Sequence, residues 1–368
     1  MSEEKIMILK MLKEGKITEE EALKLLSAVG EGEGKTEKAK DFNLVENTQN
    51  LADKIVKGVD KILKMTGEKL NNIELGYDFD IDLGDSYKYS FSKFKSKIEK
   101  TLVHELANTE GIELEVRNND GSIDLHVWDE PRVEVLAHVN YNEQYVDKEY
   151  DFIEIVQEGK VVKIKTADYK LRRQPFNVKL DISVPRGMFE GTNIKSKNGS
   201  IKITGLNSKH VVAKTFNGRL NASDMNTENA SLSSTSGGVS VKNSSGNILE
   251  METVNGKLSV QNARFMRISA NTVNGSIKTD ELSEVVRFLE VSTVNGSVNI
   301  MVDDMNRPIR FETTKSLRIS SKVVLPDGFT KVFNENGKVE ATTSNYDDSR
   351  EDKLEILAST VNGSISVE

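Results

Sequence analysis

The chain has no cysteine in 368 residues, which excludes disulfides and thiolate chemistry and fits a reducing compartment without requiring one. Histidine is almost as scarce. His104, His126, His138 and His210 fall in unrelated segments. His126 and His138 could approach on neighbouring strands, but with no thiolate and no carboxylate at ligand spacing a metal site is not expected. The acidic pairs Asp303-Asp304 and Asp347-Asp348 lack the spaced oxygen ligands of a calcium loop and read as solvated turns. Long hydrophobic runs are missing too: none approaches the roughly 18 residues of a membrane-spanning helix. The first thirty residues are charged throughout and lack the apolar core of a secretory signal. The expected location is therefore cytoplasmic, either free or peripheral to a membrane, with the cell surface as the alternative. No phosphate loop, nucleophile elbow or kinase signature occurs, so neither enzyme activity nor a cofactor is expected. With Lys plus Arg at 50 against Asp plus Glu at 58, the net charge of −8 leaves no basic domain and argues against nucleic acid as a partner.

What the chain has instead is repetition. Thr-Val-Asn-Gly occurs at residues 253–256, 272–275, 293–296 and 360–363, and Gly199, Gly218, Gly237, Gly256 and Gly275 are each 19 residues apart, with Gly296 following after 21. Apolar residues keep step. Before the corner come Val211, Ala230, Leu249, Ile268, Leu289 and Ile309, then Ala213, Leu232, Met251, Ala270, Val291 and Phe311. After it come Ile201, Leu220, Val239, Leu258, Ile277 and Val298, then Ile203, Ala222, Val241, Val260, Thr279 and Ile300. The alternation is that of strands. Leu206, Met225, Ala263 and Leu282 recur seven after the glycine and suggest a third short inward segment.

Each unit is thus strand, Asn-Gly corner, strand, with corner residues Asn198-Gly199, Asn217-Gly218, Asn255-Gly256, Asn274-Gly275, Asn295-Gly296 and Asn362-Gly363. Asn-Gly between alternating runs is also a hairpin signal, through the positive φ of a type I′ turn. A meander, however, needs a second turn per unit, and residues 204–209 and their equivalents show no fixed turn residue. Parallel stacking rewards identical residues at identical positions. The expected fold is mainly β: a parallel β-solenoid (β-helix) of about 19–21-residue coils, with a small α-helical hairpin at the N-terminus.

That hairpin spans residues 1–30. Ile6, Leu9 and Leu12 share a face, Glu14-Gly15-Lys16 breaks the helix, and Thr18 with Glu21 forms a capping box ahead of Leu23 and Leu26. So small a piece needs a partner surface. Ile6, Leu9, Leu12, Leu23 and Leu26 are therefore the candidate partner-binding residues, toward another protein or a second copy. Residues 31–110 read as a linker and amphipathic helix region, in which Leu44, Leu51, Ile55, Val59, Ile62 and Leu70 form one stripe. This stripe packs on the body, forms a coiled coil or touches a membrane surface. Tyr87, Tyr89, Phe91 and Phe94 alternate with lysines further on, as an edge strand or as a lipid contact.

The β-domain takes residues 111–368. Its first coil turns at Asn119-Asp120-Gly121, and Trp128 beside Pro131 is placed as the plug of the open end. A hairpin about Glu158-Gly159 and a strand ending at Pro185 precede the regular coils of 194–311. After Thr313 the register loosens: Ser316 stands where glycine belongs, Pro326-Asp327-Gly328 inserts a turn, Asn336-Gly337 restores a coil, and the last coil closes on Thr360 to Gly363.

The EGKITEEEALKLL hairpin, the WDEP segment and the TVNG coils, in this order, resemble the LiaX/YvlB-type family, in which a short helical domain precedes a Toastrack, or adhesin-like β-repeat, domain. The resemblance implies a scaffold or sensor of a bacterial cell-envelope stress response, with membrane-associated partners that are PspC-like or LiaFSR-type. It supplies no catalytic residues. A surface adhesin is the alternative function, and a polysaccharide-active β-helix enzyme a third that rests on fold analogy alone.

Overall fold

The computed structural model describes residues 94–106, 111–168, 176–302, 306–315, 322–335 and 338–368. These all lie within the unit Val56–Glu368. The helical hairpin with Ile6, Leu9, Leu12, Leu23 and Leu26, the amphipathic stripe, Asp303-Asp304, Ser316 and Asn336-Gly337 lie outside the described residues.

The repeats stack as parallel coils with two faces. On the face that leads into the Asn-Gly corner, β8 (Phe189–Asn198), β10 (Ser208–Asn217), β12 (Asn229–Ser234), β14 (Ser245–Asn255), the second half of β15 (Leu258–Asn274) and β17 (Phe288–Asn295) follow one another in register. On the face that leaves it, β9 (Ile201–Thr204), β11 (Leu220–Ser223), β13 (Val239–Lys242), the first half of β15, β16 (Ile277–Leu282) and β18 (Val298–Val302) do the same. β15 therefore bends from one sheet into the other. A short third side is marked by the bridges Asn207 to Asn226 and Asn226 to Ser245. Register equals repeat: Leu220 faces Ile201 and Val239, and Thr272 faces Thr253 and Thr293. A meander of hairpins would have made these neighbours antiparallel.

The inward columns form the core. Leu220, Leu249, Leu258 and Ile268 are wholly buried, as are Leu206, Met225, Ala263 and Leu282 on the third side, where Ser244 fills the one polar place. The Ser244 hydroxyl donates to Lys242 O at 2.8 Å and accepts from Met225 N–H at 3.1 Å, so that its burial leaves no group unpaired.

At both ends the stacking order departs from chain order. β2 (Glu113–Asp120) lies between β8 and β6 (Val161–Thr166), while β3 (Ile123–Trp128) lies between β9 and β7 (Phe176–Pro185). At the other end β23 (Leu354–Asn362) enters between β17 and β19 (Ile309–Lys315). β24 (Ile365–Val367) likewise enters between β18 and β20 (Val323–Val324). Antiparallel strands close the stack. β5 (Ile153–Glu158) covers β6; β4 (Arg132–Tyr141) and β1 (Ser96–Glu105) extend from β7; β22 (Lys338–Thr343) and β21 (Phe329–Glu335) extend from β19.

Two expectations need correction. Trp128 is not the plug: it is half-exposed, its indole N–H donates to Arg132 O at 2.9 Å, and the Arg132 guanidinium lies over its ring. The N-terminal end is filled instead by Tyr141, Tyr150, Phe152 and Phe176, with ring centroids 5.1–5.9 Å apart. Ile309 and Phe311 also sit two residues away from the repeat register. Phe311 faces Ile356, which faces Leu289, and Thr313 faces Ala358 rather than a threonine. The physical reason is that β19 stacks on the C-terminal coil, which sets its register, and not on β17.

Candidate functional site

The corner residues expected from the sequence are brought together as ladders that run from coil to coil. Asn198 Nδ2 donates to Asp120 Oδ1 at 2.8 Å, Asn217 to Asn198 at 2.9 Å, Asn274 to Asn255 at 2.9 Å, Asn295 to Asn274 at 2.8 Å and Asn362 to Asn295 at 2.7 Å. The ladder breaks where Ser236 takes the asparagine place. Inside the corner, from Thr215 onward, a hydroxyl of one coil donates to the glycine carbonyl of the coil stacked before it. Thr215 reaches Gly199 O at 2.8 Å, Ser234 reaches Gly218 O at 2.8 Å, and Thr253 reaches Gly237 O at 2.7 Å.

The reason for glycine differs from the one inferred from the Asn-Gly pair. The column from Gly199 to Gly363 does not have positive φ. A Cβ on Gly256 would lie 2.1 Å from Gly237 O, and one on Gly363 would lie 1.9 Å from Gly296 O. Close approach of successive corners, not a type I′ turn, excludes every other residue. Positive φ occurs at a second corner that pattern reading missed: Gly205 (φ 74°), Asp224 (55°), Asn243 (49°), Asn262 (46°) and Glu281 (53°). These too are 19 residues apart. The spacing was a usable signal, but five positions held by four residue types hid it.

In each Thr-Val-Asn-Gly the threonine is buried and the valine faces out, so Val254, Val273, Val294 and Val361 form a half-buried row on the β17 and β23 side. Where Ser236-Gly237-Gly238 replaces the usual corner, the opposite sheet has a shallow open cleft. Arg219 and Lys257 flank it, and Asn221, Ser236, Ser240 and Ser259 are among its lining residues.

The histidines do not form a cluster. His126 Nε2 lies 2.9 Å from Ser183 Oγ on β7, and β7 separates it from His138. His138 lies between Glu99 (Nδ1 to Oε1, 3.0 Å) and Asp181 (Nε2 to Oδ2, 3.1 Å). His104 meets Gln157, and His210 meets Asn229. Asp347 accepts from the Ser349 backbone N–H at 2.8 Å and the Ser349 hydroxyl at 2.7 Å, bonds that hold its carboxyl below the usual range. Burial, and then the hydrogen bond to Asp348, push the neighbouring Tyr346 hydroxyl up to about 12. This is a self-contained turn, and among the described residues no group of three or more His, Asp or Glu could hold a metal ion.

Comparison with known proteins follows this geometry. Residues 173–368 match the Toastrack DUF4097 family, and residues 3–34 match a SHOCT-like domain. No curated protein matches. Similar solved structures include a candidate adhesin from Bacteroides fragilis NCTC 9343, with 12% identity over 74% of this chain and 98% of that one, at a TM-score of 0.44. Another is a candidate adhesin from Parabacteroides distasonis ATCC 8503, with 11% identity over 74% and 97%, at a TM-score of 0.37. A third, a candidate lipid-binding protein from that organism, has 11% identity over 74% and 98%, at a TM-score of 0.39. At such values these likenesses carry nothing about function. The family match spans more than half of the sequence, and the chain belongs to the Toastrack DUF4097 family.

Proposed function

We propose that this Toastrack protein is non-enzymatic and acts by contact, as an adhesin-like module that presents its outer sheet to a surface. The observation that carries this reading is the outward valine row. Val254, Val273, Val294 and Val361 repeat on the solvent side of the sheet, next to a rim of asparagine amides. An apolar strip rimmed by polar groups is the form a contact surface takes. The purified full chain should be retained on isolated bacterial cell envelopes, and Val273→Thr with Val294→Thr, which keep the β-branched shape and remove the apolar surface, should weaken retention with little change in melting temperature. Equal retention of the double variant overturns the reading. Protease shaving of intact cells tests the surface location that an adhesin needs.

A second reading is favoured by the match of residues 3–34 to a SHOCT-like domain. Here the N-terminal module recruits a membrane-associated partner of an envelope stress response, of PspC-like or LiaFSR type, while the β-domain serves as scaffold. Co-purification from membranes should detect a partner that is lost on deleting residues 1–30. Unchanged recovery eliminates this reading.

A further inference from the structure

Four cations stand in single file on the outer face of the sheet that leads into the corner. Lys165 on β6 faces Arg117 on β2, Arg117 faces Lys195 on β8, and Lys195 faces Lys214 on β10. They occupy four successive strands, roughly 4.8 Å apart. Like charges directly opposite one another across a sheet destabilise it. Glu154 pairs with Lys165 at 2.6 Å and Glu115 with Arg117 at 3.4 Å, both toward the N-terminal end of the file. At its centre the Lys195 ammonium is covered and has no hydrogen-bond partner. Burial, then Arg117 and Lys214, lower its pKa, against a smaller opposing effect of Glu115. A chain of net charge −8 has no general need of such a row, and the covered Lys195 ammonium at its centre opposes stability.

We propose that this file binds a linear acidic polysaccharide, one carrying a carboxylate on each sugar. The proposal rests on the contact reading above and names the class of partner. The geometry selects this class among polyanions. One row of charges suits a single extended chain, whereas a flat membrane or a duplex meets a broad basic field. The strands of the file are interior to the sheet and paired on both sides, so no peptide can add to them as a further strand. Beside the file, on the corner side, Phe216 points outward from β10 next to Lys214 and offers an apolar face to a sugar ring. An anion spanning Arg117 and Lys214 would draw the Lys195 ammonium out on its flexible stem and give it the partner it lacks.

Anisotropy of a fluorescent oligogalacturonate, titrated with the full chain, tests the proposal. Binding should weaken as salt rises. The fully methyl-esterified oligomer, which keeps the sugars and loses the charge, should not bind. Arg117→Ala and Lys214→Ala should each cost about fivefold in affinity, with Lys278→Ala, on the other sheet, as an unaffected control. Lys195→Met should lower affinity while raising the melting temperature, a combination that a purely structural lysine would not produce. Equal binding of the methyl ester, unchanged affinity in the Arg117 and Lys214 variants, or tighter binding of linear polyphosphate overturns the assignment. If envelopes still retain the chain while oligogalacturonate is ignored, the polysaccharide assignment fails and the contact reading stands. Oligogalacturonate binding with no envelope retention overturns the contact reading alone.

Discussion

The corner is best understood one residue at a time, because each position answers to a different force. Glycine is there for want of a Cβ, so Gly256→Ala must push backbone against the Gly237 carbonyl 2.1 Å away. We expect a loss of roughly 3 kcal/mol in urea unfolding, at the upper end for overpacking. Threonine is there for its hydroxyl. Thr253→Val keeps the shape and leaves Gly237 O without its 2.7 Å donor, at a cost of about 1–2 kcal/mol. Asp120 is the one charged member of the asparagine ladder. Burial raises its pKa, against the lowering effects of the Asn198 hydrogen bond and of Lys197. A carboxyl whose folded pKa lies above its unfolded value penalises the fold once pH exceeds both, and the penalty vanishes below the unfolded value. Asp120→Asn should therefore be more stable than the parent at neutral pH, with the difference closing as pH falls through the ordinary aspartate range. Thermal melts across pH would show it.

Among elements, the strands and the first corner were legible in the sequence while the second corner was not. The buried columns announced themselves through alternation and a constant period, since parallel stacking places like on like at Leu220, Val239, Leu258 and Ile277. The second corner is set by backbone conformation rather than by one side chain, and Gly, Asp, Asn and Glu all serve there. That tolerance has a cost at Glu281, an exposed residue at φ 53°. Glu281→Gly should raise stability by about 0.5–1 kcal/mol, because the left-handed region strains any residue with a Cβ. A higher urea midpoint with an unchanged slope would register the gain. As for the candidate surface, the valines were visible as repeat letters, but their outward direction emerged only once the Thr Oγ bonds fixed which side faces in. Of the cation file only Lys195 and Lys214, 19 residues apart, follow the repeat; Lys165 and Arg117 join them only because β2 lies between β6 and β8.

For the whole molecule, the departure of stacking order from chain order decides how stability is distributed. A repeat array stacked in chain order loses its last unit as an end cap and keeps the rest. Here the last unit is internal: β23 holds β17 on one side and β19 on the other. Removing residues 354–368 should expose Leu289 and Val291 and strand the antiparallel strands β19, β22 and β21, which are joined to the stack through the pairing of β19 with β23. We expect the deletion to replace one cooperative thermal transition with a broad, non-two-state melt, rather than to shift the midpoint by a few degrees. A sharp transition near the parental temperature would show that the slot closes by direct contact of β17 with β19.

The same slot constrains the order of biosynthesis. Residues 309–315 leave the ribosome before residues 354–362, yet the later strand must come to rest between the earlier one and residues 288–295. The far end of the stack therefore has to stay unzipped until residues 354–362 have emerged, with two sheet edges open and awaiting the same segment. Nascent chains halted short of that segment are where a chaperone would be needed and where wrong pairing between copies would begin.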